Sequence, residues 1–222
     1  MKKDQHDKGA ILQRDKETYA VKTLTPGGFI NPDQLRRIAD VAQKYHVQAV
    51  KMTGAQRMAL IGLPEEMLDE VLADLGDLAG AATGLCVHYV KICPGATYCK
   101  RGQQNSIAIG LKIDELFHGL ELPKKFKIGI SGCQNDCSEA CIKDAGLIGT
   151  PKGWNVMIGG NGGAVPRFAV KLAEAIASEE EAFTLIEQTL TWYKSKERSC
   201  RAGKIVGEIR LEDLRNEISG MR

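Results

Sequence analysis

The chain has 222 residues, 43% of them hydrophobic and 26% charged, with a net charge of +2. That length suits one domain of good size or two small ones, with a core that needs no covalent staples, so disorder is excluded for the bulk of it. No run approaches the roughly 18 apolar residues of a membrane helix; near-balanced charge gives no global steering field, no basic stretch of convincing length stands out, and 5% aromatics argue against a base-stacking platform for nucleic acid.

The polar stretch Met1–Asp7 has no apolar signal region, which makes the cytoplasm the expected compartment. Residues 1–17 read as a charged, mobile lead-in. A strand is expected from Thr18 to the turn Pro26-Gly27-Gly28. A helix follows from Asn31, which can cap it, with Pro32 at the first position and Gln34 able to reach back. Leu35, Ile38, Ala39 and Ala42 give that helix an apolar face. Val47–Met52 and Met58–Leu63 read as strands, joined by Thr53, Gly54, Ala55, Gln56 and Arg57. Pro64 opens a second helix with Met67, Val71, Leu72 and Leu75 on one side. The order strand–helix–strand–strand–helix over residues 18–80 is an α+β unit of ferredoxin-like type, closed by the Gly/Ala-rich stretch Gly76–Gly84.

A second unit spans 85–222. Cys86–Ile92 is expected to be extended, followed by a helix from about Tyr98 to Phe117. Phe126–Ser131 reads as a strand leading into Gly132-Cys133, and Ala145–Gly149 and Asn155–Ile158 as two more. Gly159–Gly163 is a glycine-rich loop. Helices are expected at about Phe168–Ile176, Glu179–Lys194 and Leu211–Ile218.

Seven cysteines are unusual for a reducing compartment, where disulfides are rare. Four fall into two pairs, Cys93 and Cys99 within CPGATYC, and Cys133 and Cys137 within GCQNDC. Each pair lies at a strand-to-helix junction, where exposed backbone N–H groups suit an anionic sulfur cluster, and two pairs supply the four thiolates of an iron–sulfur cubane. Zinc is the rival metal, although its structural sites favour tighter pairs than the Cys-x5-Cys here. Cys86, Cys141 and Cys200 lack such partners and read as buried or incidental thiols.

The Cys-x5-Cys and Cys-x3-Cys pairs resemble the siroheme and [4Fe-4S] module of the nitrite and sulfite reductase family. The resemblance extends to Leu122-Pro123-Lys124-Lys125-Phe126-Lys127 ahead of Ser131–Cys137, to Ala145–Gly149, to Ile158-Gly159-Gly160-Asn161, and in the first half to Pro26-Gly27-Gly28 and Lys51–Arg57. It covers residues 18–210, and the short length is nearest to the small assimilatory-type sulfite reductases. It implies a ferredoxin-like half-domain followed by an α/β siroheme/iron–sulfur module. It also implies a sulfite reductase that carries siroheme and a [4Fe-4S] cluster on Cys93, Cys99, Cys133 and Cys137, with Cys137 bridging the two. Nitrite reduction on the same framework is the alternative.

Lys125 and Lys127 alternate and so share one face, as two ammonium groups aimed at one oxyanion would require. The family's pair of active-site lysines falls on them. Thr53, Gln56, Arg57, Asn135, Gly159, Gly160, Asn161 and Arg167 are the expected partners of the siroheme carboxylates, whose burial demands charged and N–H donors. Two positions depart from the family pattern. Lys22 stands where an arginine is expected before Pro-Gly-Gly, and Tyr89, beside His88, stands four residues before the first cluster cysteine. No G-x-G-x-x-G or P-loop is present, so electrons are expected from a low-potential carrier such as ferredoxin or flavodoxin. A homodimer would restore the two-module arrangement of the fused family members. A haem-free iron–sulfur electron carrier and a zinc-stabilised interaction module are the readings from other classes.

Overall fold

The computed structural model describes residues 2–221. The chain divides into two compact units, Met1–Gly84 and Leu85–Arg222.

In the first unit, β1 (Ala10–Leu12), β2 (Thr18–Lys22), β3 (Ala49–Met52) and β4 (Met58–Pro64) form an antiparallel sheet in the order β1-β2-β4-β3. Helices α1 (Pro32–Lys44) and α2 (Leu68–Leu75) share its core with Tyr19, Val21, Leu60 and Leu63. The expected capping box starts α1: Gln34 N donates to Asn31 Oδ1 at 2.8 Å and Asn31 N to Gln34 Oε1 at 3.1 Å. Its buried face differs from the expected one. Ile38 and Val41 are inside, with Tyr45 just beyond the helix, while Leu35 and Ala39 are exposed. In α2 the buried set is Leu68, Val71 and Leu75, and Met67 is outside.

The stretch read as a mobile lead-in contains β1, which pairs with β2 from Ala10↔Val21 to Leu12↔Tyr19. Three residues are too few for periodicity to reveal them, and the strand exists because β2 offers its edge. Ala10 is fully buried there.

In the second unit, β5 (Val87–Ile92), β6 (Phe126–Ser131) and β7 (Ala145–Thr150) run parallel. β8 (Gly153–Ile158) and β9 (Val170–Ile176) complete the sheet antiparallel, in the order β5-β6-β7-β8-β9. Helices α3 (Gly95–Tyr98), α4 (Ser106–Phe117), α5 (Glu179–Ser195), α6 (Ala202–Val206) and α7 (Leu211–Ser219) surround it. The core holds Phe126, Ile128, Ile130, Leu147, Trp154, Ile186, Leu190 and Trp192, and the Phe126 and Tyr193 rings meet at 5.2 Å. β6 and β7 lie inside the sheet, which explains their near-continuous apolar sequence.

Two expected helices differ. The one expected from Tyr98 to Phe117 is two helices: α3 ends at Tyr98, and α4 starts at Ser106 under an Asn105 cap that accepts from Ala108 N at 3.2 Å. Between them Gly102 sits against Gly95, with no room for a Cβ. The helix expected over Phe168–Ile176 is β9, an irregular edge strand on β8 with Ala175 at φ +55°. Five of its seven residues read equally well as helix, and pairing with β8 decides the outcome.

Substituting Ala10→Asp places a carboxylate in the first core and is expected to lower stability in urea unfolding by about 3 kcal/mol. A mobile lead-in would tolerate it with no change.

Candidate metal centre and anion site

Parallel pairing of β5 and β6 sets Ile92 opposite Ile130, so the turns after both strands leave the same edge of the sheet. Cys93 follows β5 directly, its N–H donating to Ile130 O at 3.1 Å, and Cys133 lies two residues past β6. Three glycines draw the turns together. A Cβ on Gly132 would stand 2.6 Å from Gly95 Cα, and one on Gly102 would stand 2.3 Å from the Gly95 carbonyl carbon. Gly132 N donates to Cys93 Sγ at 3.1 Å, and Gln103 and Gln104 N–H groups converge on Gly132 O at 2.8 and 3.0 Å. Ser106 Oγ, at the start of α4, lies 3.4 Å from Cys93 Sγ.

The second cysteine loop is built around Asp136. Its Oδ1 accepts from Ser131 Oγ and Ala140 N, both at 2.8 Å, and its Oδ2 accepts from Cys141 N at 2.9 Å. Asp136 and Glu139 both hold left-handed backbone, φ +49° and +59°, a conformation side chains other than glycine adopt only when their surroundings impose it. Here the imposition is visible. Glu139 takes Lys91 at 2.8 Å and Lys143 at 2.6 Å, and the two ammonium groups pull its carboxyl down to about 2. Lys91 precedes Cys93 by two residues and Glu139 follows Cys137 by two, so this ion triad ties one cysteine segment to the other.

Cys93 is buried, Cys99 and Cys133 half-buried, Cys137 exposed. Among the described residues no three His, Cys, Asp or Glu side chains converge on a point for a single ion. The arrangement fits a larger, anionic inorganic core: two facing turns, a backbone N–H already on one sulfur, and cations flanking the loop. Cys141 has its thiol pushed up to about 11 by burial and by Asp136.

Beyond Cys137 the chain runs back across the sheet. A Cβ on Gly129 would meet Ser138 O, Ala140 Cα and Lys143 Cγ, so Gly129 faces this segment, and so do Lys127 and Ser131 by strand alternation. Lys127 therefore shares a sheet face with the Cys137 loop, about 13 Å along β6 from Ser131. Lys125 lies just before β6 and is exposed. The Lys127 ammonium lies 5.9 Å from the Tyr89 ring centre. Burial first, then the charges of Arg201 and Lys125, lower its pKa.

Asn161 and Arg167 bridge each other through both main-chain N–H groups at 2.9 Å. With Val165, Arg201, Gly203 and Lys204 they line a cavity of about 270 Å³. Among the described residues three of its lining side chains are cationic, and one of these, Arg201, is held by Asp144. Gly159 and Gly160 were expected to let a ligand approach, but the space a Cβ would take belongs to Val206 and to the Lys143 main chain. Asn135 is exposed on the cysteine loop.

In the first unit, Thr53, Gln56 and Arg57 form the β3–β4 turn: Thr53 N donates to Arg57 O at 2.8 Å and Gln56 holds φ +59°. The Pro26-Gly27-Gly28 turn packs on it, Thr25 Oγ1 donating to Gln56 O at 3.0 Å and Gly28 leaving no room for a Cβ beside Gln56. Arg57 is buried, and Lys22 ends β2 opposite Ala59. Two motifs remote in sequence are thus one local structure.

Sequence reasoning assigned no role to Asp136, Ser131 or Gly95, although they lie in the cysteine motifs, and did not single out Gly102, Asp144 or Arg201. Asp136 had a signal, a local acceptor inside a Cys-x3-Cys turn. Arg201 had none, because its partner Asp144 is 57 residues away. Asp136→Ala removes three acceptor contacts and is expected to lower the melting temperature and the iron bound per chain, by thermal unfolding and iron assay; unchanged iron would show that the loop holds its shape without it.

Residues 83–222 match the family model for the nitrite and sulphite reductase 4Fe-4S domain, and residues 11–78 that for the nitrite/sulfite reductase ferredoxin-like half domain. The chain is 42% identical to an assimilatory-type sulfite reductase of Nitratidesulfovibrio vulgaris, over 96% of this chain and 98% of that one. It is 40% identical to a Bacillus subtilis nitrite reductase [NAD(P)H] over 83% of this chain but only 23% of that one. The fold is that of Mycobacterium tuberculosis NirA, with a TM-score of 0.81 at 16% identity over 96% of this chain and 45% of that one. It is also that of dissimilatory sulfite reductase I, with a TM-score of 0.80 at 14% identity over 91% and 69%. Turns, cations and both matched halves agree: the chain belongs to the nitrite and sulfite reductase family, as a ferredoxin-like half-domain joined to a 4Fe-4S domain.

Proposed function

We propose that the protein is a sulfite reductase that converts HSO3−, with six electrons and six protons, to HS− and three waters. The observation that carries this is the placing of Lys127 on the sheet face that also carries the Cys137 loop, with the two cysteine turns joined at the end of the same strands. No protein side chain stores six electrons, so bound cofactors must relay them.

Cys93, Cys99, Cys133 and Cys137 would hold the [4Fe-4S] cluster, with Cys137, the exposed one, facing siroheme. Siroheme would supply an iron that binds the sulfur of sulfite and delivers electrons to it. Within the second unit, Arg167 and Asn161 on the cavity wall and Asn135 on the cysteine loop are the donors for its carboxylates. Arg167 and Lys204 give the cavity the charge such a ligand requires, while the third cation on its wall, Arg201, is engaged by Asp144. Lys125 and Lys127 hold the substrate oxygens and donate protons as they leave as water. Electrons come from a low-potential carrier such as ferredoxin or flavodoxin. Because the chain spans 45% of the NirA chain it matches, we further propose a twofold homodimer. Light scattering that finds only monomer in the cofactor-loaded protein would overturn that part. Nitrite is the competing substrate, since 40% identity extends to a nitrite reductase.

The deciding measurement is the visible spectrum of anaerobically purified protein, with iron, sulfide and tetrapyrrole assays on the same sample. A Soret band and a red-region band with cluster iron support the coupled site, and cluster iron alone in a siroheme-making host points to an electron carrier. Lys127→Met is expected to reduce kcat/KM for sulfite at least about 100-fold with iron and tetrapyrrole unchanged. Because burial and neighbouring cations lower the Lys127 pKa, its proton is lost earlier as pH rises. The alkaline limb of kcat/KM should therefore fall below the ordinary lysine value of 10.5 and vanish in Lys127→Met.

A further inference from the structure

Asp144 is fully buried, yet it is a hub. Its main-chain N–H donates to Lys127 O at 3.0 Å, and its Oδ2 accepts from Lys127 N at 2.8 Å. Its main-chain carbonyl accepts from Gly159 N at 2.7 Å. Arg201, which precedes α6, closes on the carboxylate with a two-point fork, Nε to Oδ1 at 2.9 Å and Nη2 to Oδ2 at 2.6 Å. Both carboxylate oxygens are therefore occupied.

The groups acting on the Lys127 ammonium are Arg201, Lys125 and Lys143, all positive, the Tyr89 ring, and one carboxylate, Asp144. Among the described residues Lys127 makes no ion pair within 4 Å. A lysine beside a buried carboxylate would ordinarily pair with it. Here a guanidinium, whose planar fork matches a carboxylate better than an ammonium does, holds that partner instead.

We propose that Arg201 is a positioning residue that engages Asp144 and so leaves the Lys127 ammonium uncompensated for the oxyanion substrate. Arg201 need not touch that anion. Its effect is to prevent an internal salt bridge that would compete with substrate, while Asp144 fixes the main chain at Lys127. The proposal rests on the assignment of Lys127 to substrate binding made above.

The test compares Arg201→Met, Arg201→Lys and the double variant Arg201→Met/Asp144→Asn in the holoenzyme. Sulfite is the probe, KM and kcat are measured separately, and the equilibrium Kd is read by calorimetry on the resting protein. Arg201→Met frees Asp144 for Lys127 and is expected to raise KM and Kd about tenfold or more with a smaller change in kcat. Removing the competing carboxylate in the double variant should return Kd to within about threefold of wild type, and Arg201→Lys should fall between wild type and Arg201→Met. A purely structural role predicts the reverse, since a second core substitution would make matters worse. A double variant as weak as Arg201→Met, or an unchanged Kd in Arg201→Met, overturns the proposal.

Melting temperature, iron and tetrapyrrole are measured for each variant. If Arg201→Met does not fold, Arg201→Lys decides: a raised Kd supports the proposal and an unchanged one overturns it. Wild-type protein that binds nitrite and not sulfite would overturn the substrate assignment, and the same series read with nitrite would still decide the role of Arg201.

Discussion

The second unit depends on the parallel pairing of β5 with β6. Parallel strands end at the same edge, so the turns that follow them are neighbours whatever their sequences. The sequences then exploit this. Gly95, Gly102 and Gly132 let the two main chains approach to within a Cβ of each other, and Cys93 Sγ receives the Gly132 N–H as a result. An antiparallel pairing would have sent Cys93 and Cys133 to opposite edges of the sheet. The Asp136 acceptor cluster and the Lys91–Glu139–Lys143 triad are refinements on that placement, and both lie between the sheet and the returning chain.

The same returning chain organises the charges. Between Cys137 and Asp144 it crosses the face of β6, made possible by Gly129 and Gly146, whose missing side chains leave room for Ala140. It delivers Lys143 and Asp144 beside Lys127. The face therefore carries several cations whose carboxylates, Glu139 and Asp144, are already committed to named partners. Positive charge held in place with its counter-charges otherwise engaged is what attraction of a small oxyanion requires.

Much of this was legible in the residues. The βα order of the first unit, the α1 cap, the β6–β7–β8 strands and the two cysteine pairs all follow from local signals. The matched family halves agree with the fold class. What was not legible depends on distant partners. β1 is a strand because β2 has an open edge. β9 pairs with β8 although its sequence suits a helix. The buried faces of α1 and α2 are rotated from the naive apolar stripe, leaving Leu35 and Met67 outside. Gly159 and Gly160 were expected at a ligand but accommodate Val206 and Lys143 of the chain itself. Asp144 and Arg201 have no sequence motif at all, since what matters about them is a contact across 57 positions.

The cysteine turns are braced by hydrogen bonds and ion pairs within the protein: the Gly132 N–H, the three donors on Asp136 and the two ammonium groups on Glu139. These contacts tie the thiol-bearing turns to the sheet and to each other through main chain and charge. A substitution that leaves every sulfur in place, at Gly132, Asp136 or Glu139, therefore reaches them as a displaced turn.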